Sequence, residues 1–107
     1  MNSIAKTPEP PYFSVIFTSV RTEGDNGYDP MAAAMVELAA KQSGFLGVES
    51  VRDESGLGIT VSYWESLESI RNWRDHAAHQ VAQNRGKSDW YSRYGLRVCK
   101  VERDYFF

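Results

Sequence analysis

The sequence is short of cysteine: Cys99 is the one thiol in 107 residues. That excludes an internal disulfide and a thiolate metal cage, and it suits a reducing, cytoplasmic setting. Cys99 stands in the alternating run LRVCKV, where a buried free thiol is the ordinary outcome. No neighbouring base or positive helix end is there to make it a nucleophile. Long apolar runs are absent too. Nothing approaches the roughly 20 residues of a membrane span, and MNSIAKTPEPP lacks the apolar stretch of a secretory signal. Positive charge is scarce, with 12 Lys and Arg against 14 Asp and Glu and a net charge of −2. Nucleic acid, which needs clustered cations, is therefore not expected as a partner. The densest basic stretch, Arg85 to Arg97, is broken by Asp89 and reads as a solvated face. There is no glycine-rich phosphate loop, no dinucleotide fingerprint and no Gly-x-Ser-x-Gly elbow.

What is present is a single domain's worth of core-forming residues, with aromatics at 13% spread along the chain. Three of the four prolines fall in residues 1–11, which predicts a flexible N-terminal lead with the folded domain over 12–107. Tyr12 to Arg21, rich in β-branched and aromatic residues, reads as a strand. The loop TEGDNGYDP follows, and Asp29-Pro30 opens a helix that Gly44 stops. Phe45 to Arg52 and Leu57 to Trp64, around the polar turn DESG, predict an antiparallel hairpin. Ser66 caps a second helix carrying Ile70, Trp73, Ala77 and Val81 on one stripe and ending near Gly86. KSDWYSRYG reads as a turn or short helix before a last strand from Leu96 to about Tyr105.

The order β-α-β-β-α-β predicts the ferredoxin-like α+β fold, a four-stranded antiparallel sheet with two helices on one face. Two helices cover only one face, yet the strands place large apolar residues on both. Phe13, Val15 and Phe17 oppose Tyr12, Ile16 and Val20 in the first strand, and Ile59, Val61 and Tyr63 oppose Trp64 in the third. A face left wet alternates apolar with polar, so a second copy of the chain is the expected cover, giving a homodimer through the open sheet face. The aromatic end, Tyr105-Phe106-Phe107, is expected to pack on that partner or on its rim.

The segments GFLGVESVRDESGLGITVSYWESLESIRNWRDHAAH and NRGKSDWYSRYGLRVCKVERDY resemble the antibiotic biosynthesis monooxygenase family, over nearly the whole chain. The most specific stretches are Gly44-Phe45-Leu46-Gly47, Tyr63-Trp64-Glu65-Ser66, Trp73 to His79, and Trp90-Tyr91. The resemblance implies a dimeric α+β barrel with a cavity between sheet and helices in each chain. It also implies oxidation of a small aromatic substrate by dioxygen without metal or flavin. The alternatives are a ligand-binding dimer without chemistry and a haem-binding or haem-degrading protein.

Trp73, on the apolar stripe of the second helix, is the candidate cavity wall implied by that resemblance, with a core tryptophan as the structural alternative. Tyr63, Trp64, Trp90, Tyr91 and Tyr94 are candidate stacking walls, and Arg97 a counter-charge. His79 is the candidate base, since a neutral imidazole suits proton abstraction near pH 7. On a straight helix His79 falls opposite Ile70 and His76 to one side, so both face water. Only a kink between Arg74 and Ala78 turns His79 inward, with an exposed or rim histidine as the alternative. No carboxylate or cysteine set completes a metal site with the two histidines. The haem alternative fits less well. The relatives that degrade haem use an asparagine on the first strand and a histidine about ten residues after the tryptophan. Here the strand YFSVIFTSV has no asparagine, and Gln83 stands ten residues after Trp73.

Overall fold

The computed structural model describes residues 4–21, 36–83 and 91–107, with the side chains of 78–83 and 91–92 left aside. Four strands are present, β1 (Tyr12–Arg21), β2 (Phe45–Arg52), β3 (Leu57–Trp64) and β4 (Tyr91–Val101). Helix α1 is described over 36–40 and α2 spans Leu67–Gln83. The strands form one sheet in the order β2-β3-β1-β4, antiparallel at every junction. This is the ferredoxin-like α+β architecture expected from the element order.

The hairpin has the bounds read from the sequence. Its turn is built by Asp53, whose Oδ1 accepts from the Ser55 amide at 2.9 Å and the Leu57 amide at 3.2 Å. Gly56 takes a left-handed φ of 95° there. Beyond the turn, the Arg52 guanidinium reaches over β3 to the Ser19 hydroxyl at 2.8 Å. It passes 2.6 Å from where a Cβ on Gly58 would stand, so a larger residue there would make the guanidinium shift from its place.

Helix α1 stops at residue 40, earlier than the expected end at Gly44, and a turn over 41–44 leads into β2. Gly44 is a glycine for two reasons. Its φ of 87° is a conformation that a Cβ makes costly. A Cβ there would also lie 2.1 Å from Ser69 Oγ, because Gly44 passes against the start of α2 and its carbonyl accepts the Glu65 amide at 2.8 Å. Ser66 caps α2 by accepting the Ser69 amide at 3.0 Å. The other helix boundaries, Asp29-Pro30 and Gly86, lie outside the described residues.

The last strand departs from the expectation. It starts at Tyr91 rather than Leu96 and ends at Val101 rather than Tyr105. Tyr94 and Arg93 pair with Ser19 and Val20, so β4 runs the length of β1, with a register shift between Val20 and Arg21. Gly95 sits inside the strand opposite Thr18. After Val101 the chain leaves the ladder, and Asp104 accepts the Tyr12 hydroxyl at 2.5 Å.

Residues 4–11 form no strand or helix but are tied to the sheet. The Ala5 amide donates to Glu49 Oε2 at 2.9 Å, and the Thr7 hydroxyl donates to Tyr12 Oη at 2.9 Å. A Cβ on Gly47 would stand 3.0 Å from that of Ala5.

Candidate functional site

Side chains alternate across a strand, so the register defines two faces. Phe13, Val15, Phe17 and Ser19 of β1 lie beside Trp64, Ser62, Thr60 and Gly58 of β3. On the other side they lie beside Lys100, Val98, Leu96 and Tyr94 of β4. This is the helix face: Val15 and Trp64 pack with Ile70 of α2 and Ala39 of α1, and Phe13, Phe45 and Trp73 close around them.

Trp64, at 0% exposure the most buried large side chain, is the hub. Phe45 meets it edge-on at 5.4 Å, and Trp73 lies tilted against it at 5.3 Å. Their indole nitrogens differ. Trp64 Nε1–H donates to the buried Ser62 hydroxyl at 2.8 Å. Trp73 Nε1–H is buried with no acceptor among the described residues. Such an unmet donor costs about 1–3 kcal/mol, which a ligand oxygen at the indole would recover. The β4 side of the same face is an apolar strip. Tyr94, Leu96 and Val98 remain exposed there, and Phe17 meets Tyr94 at 5.8 Å between ring centres. Among the described residues the face thus offers apolar walls, the Trp73 indole donor without an acceptor, and the exposed Lys100 opposite Phe13.

The opposite, open face is organised differently. Tyr63 Oη donates to Glu49 Oε1 at 2.6 Å and Tyr12 Oη to Asp104 Oδ2, while the two rings meet edge-to-face at 6.0 Å. Burial first, then the Glu49 carboxylate, pushes the Tyr63 phenol well above the ordinary tyrosine range. Burial, followed by the bond to Asp104, raises Tyr12 as well. The far end of this face is apolar and uncovered: Val51 is 71% exposed, and its β3 partner Ile59 and Leu57 are exposed too.

The candidate residues are therefore divided by the sheet. Trp64, Trp73 and Tyr94 share the helix face, whereas Tyr63, opposite Ser14, and Arg97, opposite Ile16, belong to the open face. Trp90 lies outside the described residues, as do the side chains of His79, Tyr91 and Gln83. His76 is exposed, and its Nδ1–H donates to the Asn72 carbonyl at 2.7 Å. Among the described residues, no group of three His, Cys, Asp or Glu could hold a metal ion, and no helix is long and apolar enough to cross a membrane. Leu96, Val98, Phe13 and Phe17 belong to the site although the sequence reading did not single them out as site residues. Strand alternation was the available signal for them.

Sheet order and helix placement define an α+β protein of the ferredoxin-like class. The model of the family described as antibiotic biosynthesis monooxygenase matches residues 11–85, and the chain belongs to that family. It is 56% identical over 107 residues to the uncharacterized protein YqjZ of Bacillus subtilis (strain 168), covering all of this chain and 94% of that one. It is 31% identical over 94 residues to jasmonate monooxygenase ABM of Pyricularia oryzae, covering 83% of this chain but 43% of that protein. Among solved structures, SnoaB, a cofactor-independent oxygenase from Streptomyces nogalater, superposes with a TM-score of 0.69 at 11% identity. That match covers 89% of this chain and 97% of SnoaB. A protein of unknown function from Nitrosomonas europaea reaches a TM-score of 0.73 at 9% identity, covering 92% of this chain and 97% of its own. These structural likenesses concern the fold.

Proposed function

We propose that this chain is a monooxygenase-type enzyme, working as a homodimer in a reducing, cytoplasmic compartment. It oxidises a small aromatic substrate with dioxygen, without metal or flavin, on the helix face. The buried Nε1–H of Trp73, with no acceptor among the described residues, on the sheet face that also bears the apolar β4 strip, carries this reading. Its kinship with a fungal monooxygenase and its fold likeness to a cofactor-independent oxygenase support it.

The chemistry suits an electron-rich phenol or hydroquinone, whose anion can pass an electron to dioxygen. Phe13, Phe17, Leu96 and Val98 supply walls that thin the water around such an anion. Trp73 supplies a donor to a ligand oxygen on which negative charge develops. His79 is the proposed base, and replacing it by alanine should remove the limb of the pH–rate profile that reports its deprotonation. The partner copy is proposed to sit on the open face, over Ile59, Leu57 and Val51.

The test is dioxygen uptake by metal-free and flavin-free protein over a panel of hydroquinones. Saturable uptake, strongly reduced in Trp73→Phe, supports the enzyme. Saturable binding with no uptake on any member of the panel replaces it with a ligand-binding dimer. Light scattering at micromolar concentration checks the assembly; a monomeric mass would contradict the open-face partner.

A further inference from the structure

Tyr12 and Tyr63 are buried or half-buried phenols that the oxygen chemistry leaves unused. Yet they stand directly behind the two tryptophans of the site. Trp73 and Trp64 are in ring contact at 5.3 Å on the helix face. Trp64 and Tyr63 are consecutive in β3, so their rings project from opposite faces of the sheet and share one peptide unit. Tyr63 then meets Tyr12 at 6.0 Å. Four oxidisable rings thus run from the unpaired indole, through the sheet, to the far face.

We propose that Trp73, Trp64, Tyr63 and Tyr12 form a relay that draws one-electron oxidising equivalents out of the helix-face site and settles them on the tyrosine pair. The direction follows from where protons can go. A ring that loses an electron becomes a strong acid and keeps the hole only if a base takes its proton. Trp64 Nε1–H faces a serine hydroxyl and Trp73 Nε1–H has no acceptor among the described residues; neither is given a base. Each tyrosine is given one: Tyr63 faces Glu49 at 2.6 Å, and Tyr12 faces Asp104 at 2.5 Å. Both phenols are also held above the ordinary tyrosine range. A phenol, which ordinarily titrates at about 10, is neutral near pH 7, so the electron leaves with the proton that the adjacent carboxylate accepts.

The steps balance. A one-electron oxidant in the site, of the organic peroxyl-radical class that addition of dioxygen to a substrate radical generates, takes one electron from Trp73 and becomes a hydroperoxide anion, leaving an indole radical cation. Trp64 returns an electron to Trp73, and Tyr63 returns one to Trp64. As Tyr63 does so, its hydroxyl proton moves to Glu49 Oε1, leaving a neutral phenoxyl radical and a protonated carboxyl group. Tyr12 can then reduce that radical. Its own proton passes to Asp104, and Tyr63 recovers the proton held by Glu49.

The relay rests on the proposed oxygenase activity only for its natural oxidant, so its wiring can be tested without substrate. Azide radical, generated by pulse radiolysis, oxidises tryptophan in the intact protein. The expected record is decay of the tryptophanyl absorbance with matching growth of tyrosyl absorbance, at a rate independent of protein concentration. The double variant Tyr12→Phe/Tyr63→Phe should lose that phase. Glu49→Gln, with circular dichroism unchanged, should slow it by removing the proton acceptor. Unchanged tyrosyl growth in the double variant, or an unchanged rate in Glu49→Gln, overturns the relay. Transfer in a protein that shows no oxygen uptake would uphold the relay and remove the oxygenase reading alone.

Discussion

On the helix side of the sheet, Trp64 is closed off from solvent and Trp73 keeps a buried N–H with no acceptor among the described residues. On the other side, Tyr63 and Tyr12 each donate a hydrogen bond to a carboxylate, and Val51 and Ile59 are exposed along with Arg93 and Arg97. The same strands build both faces, but they leave opposite needs. A lone donor among aromatic walls is completed by a small molecule carrying an acceptor. An exposed aliphatic patch is completed by another apolar surface. The proposed ligand and the proposed partner copy thus belong to different sides of one sheet.

That contrast can be broken most severely at its hub. Trp64→Ala removes the one side chain that Phe45, Trp73 and Ile70 share, and should cost about 3–5 kcal/mol in urea denaturation. A loss near zero would mean that the helix face is not organised around it. Gly44→Ala comes next. A Cβ costs about 1–2 kcal/mol in the left-handed region, and overpacking against Ser69 typically adds about 1–3 kcal/mol.

A smaller effect separates the faces by pH. Tyr63 is raised above the ordinary phenol value of about 10, so its contribution is complete below that value. It is lost as pH rises beyond it, through Tyr63's own higher pKa. Wild-type protein should therefore lose stability above about pH 10 more steeply than Tyr63→Phe; equal slopes would mean that the phenol is not held in its neutral form. The smallest effect on folding belongs to Val51→Asp. At an exposed site it should change stability by less than about 0.5 kcal/mol while lowering the mass seen by light scattering. A variant that stays at wild-type mass would show that the uncovered end of the face carries no partner.

The hairpin was readable because everything that makes it is local: two apolar runs, a polar turn, and a glycine at the position with positive φ. The same holds for the Ser66 cap, whereas α1 stops at residue 40, before the Gly44 expected to end it. The start of β4 was not readable, because Gly95 and the polar residues before it look like a turn in isolation. What holds them extended is pairing with Thr18, Ser19 and Val20, residues far away in sequence. The site shows the same division. Alternation and helical spacing put Trp64 and Trp73 on one side, and they assign Tyr63 to the other. Which indole finds an acceptor depends on three-dimensional neighbours. The bonds from Tyr63 to Glu49 and from Tyr12 to Asp104, the latter joining residues 92 apart, left no trace in either local pattern.

The central claim is that a ligand oxygen completes Trp73. It is tested most directly by following the three tryptophan indole N–H resonances of ¹⁵N-labelled protein while a hydroquinone is added, with Trp73→Phe identifying one of them. The account predicts a saturable downfield shift of the Trp73 resonance as it gains an acceptor, with Trp64, already bonded to Ser62, moving little. Saturable binding that leaves the Trp73 resonance in place would contradict it.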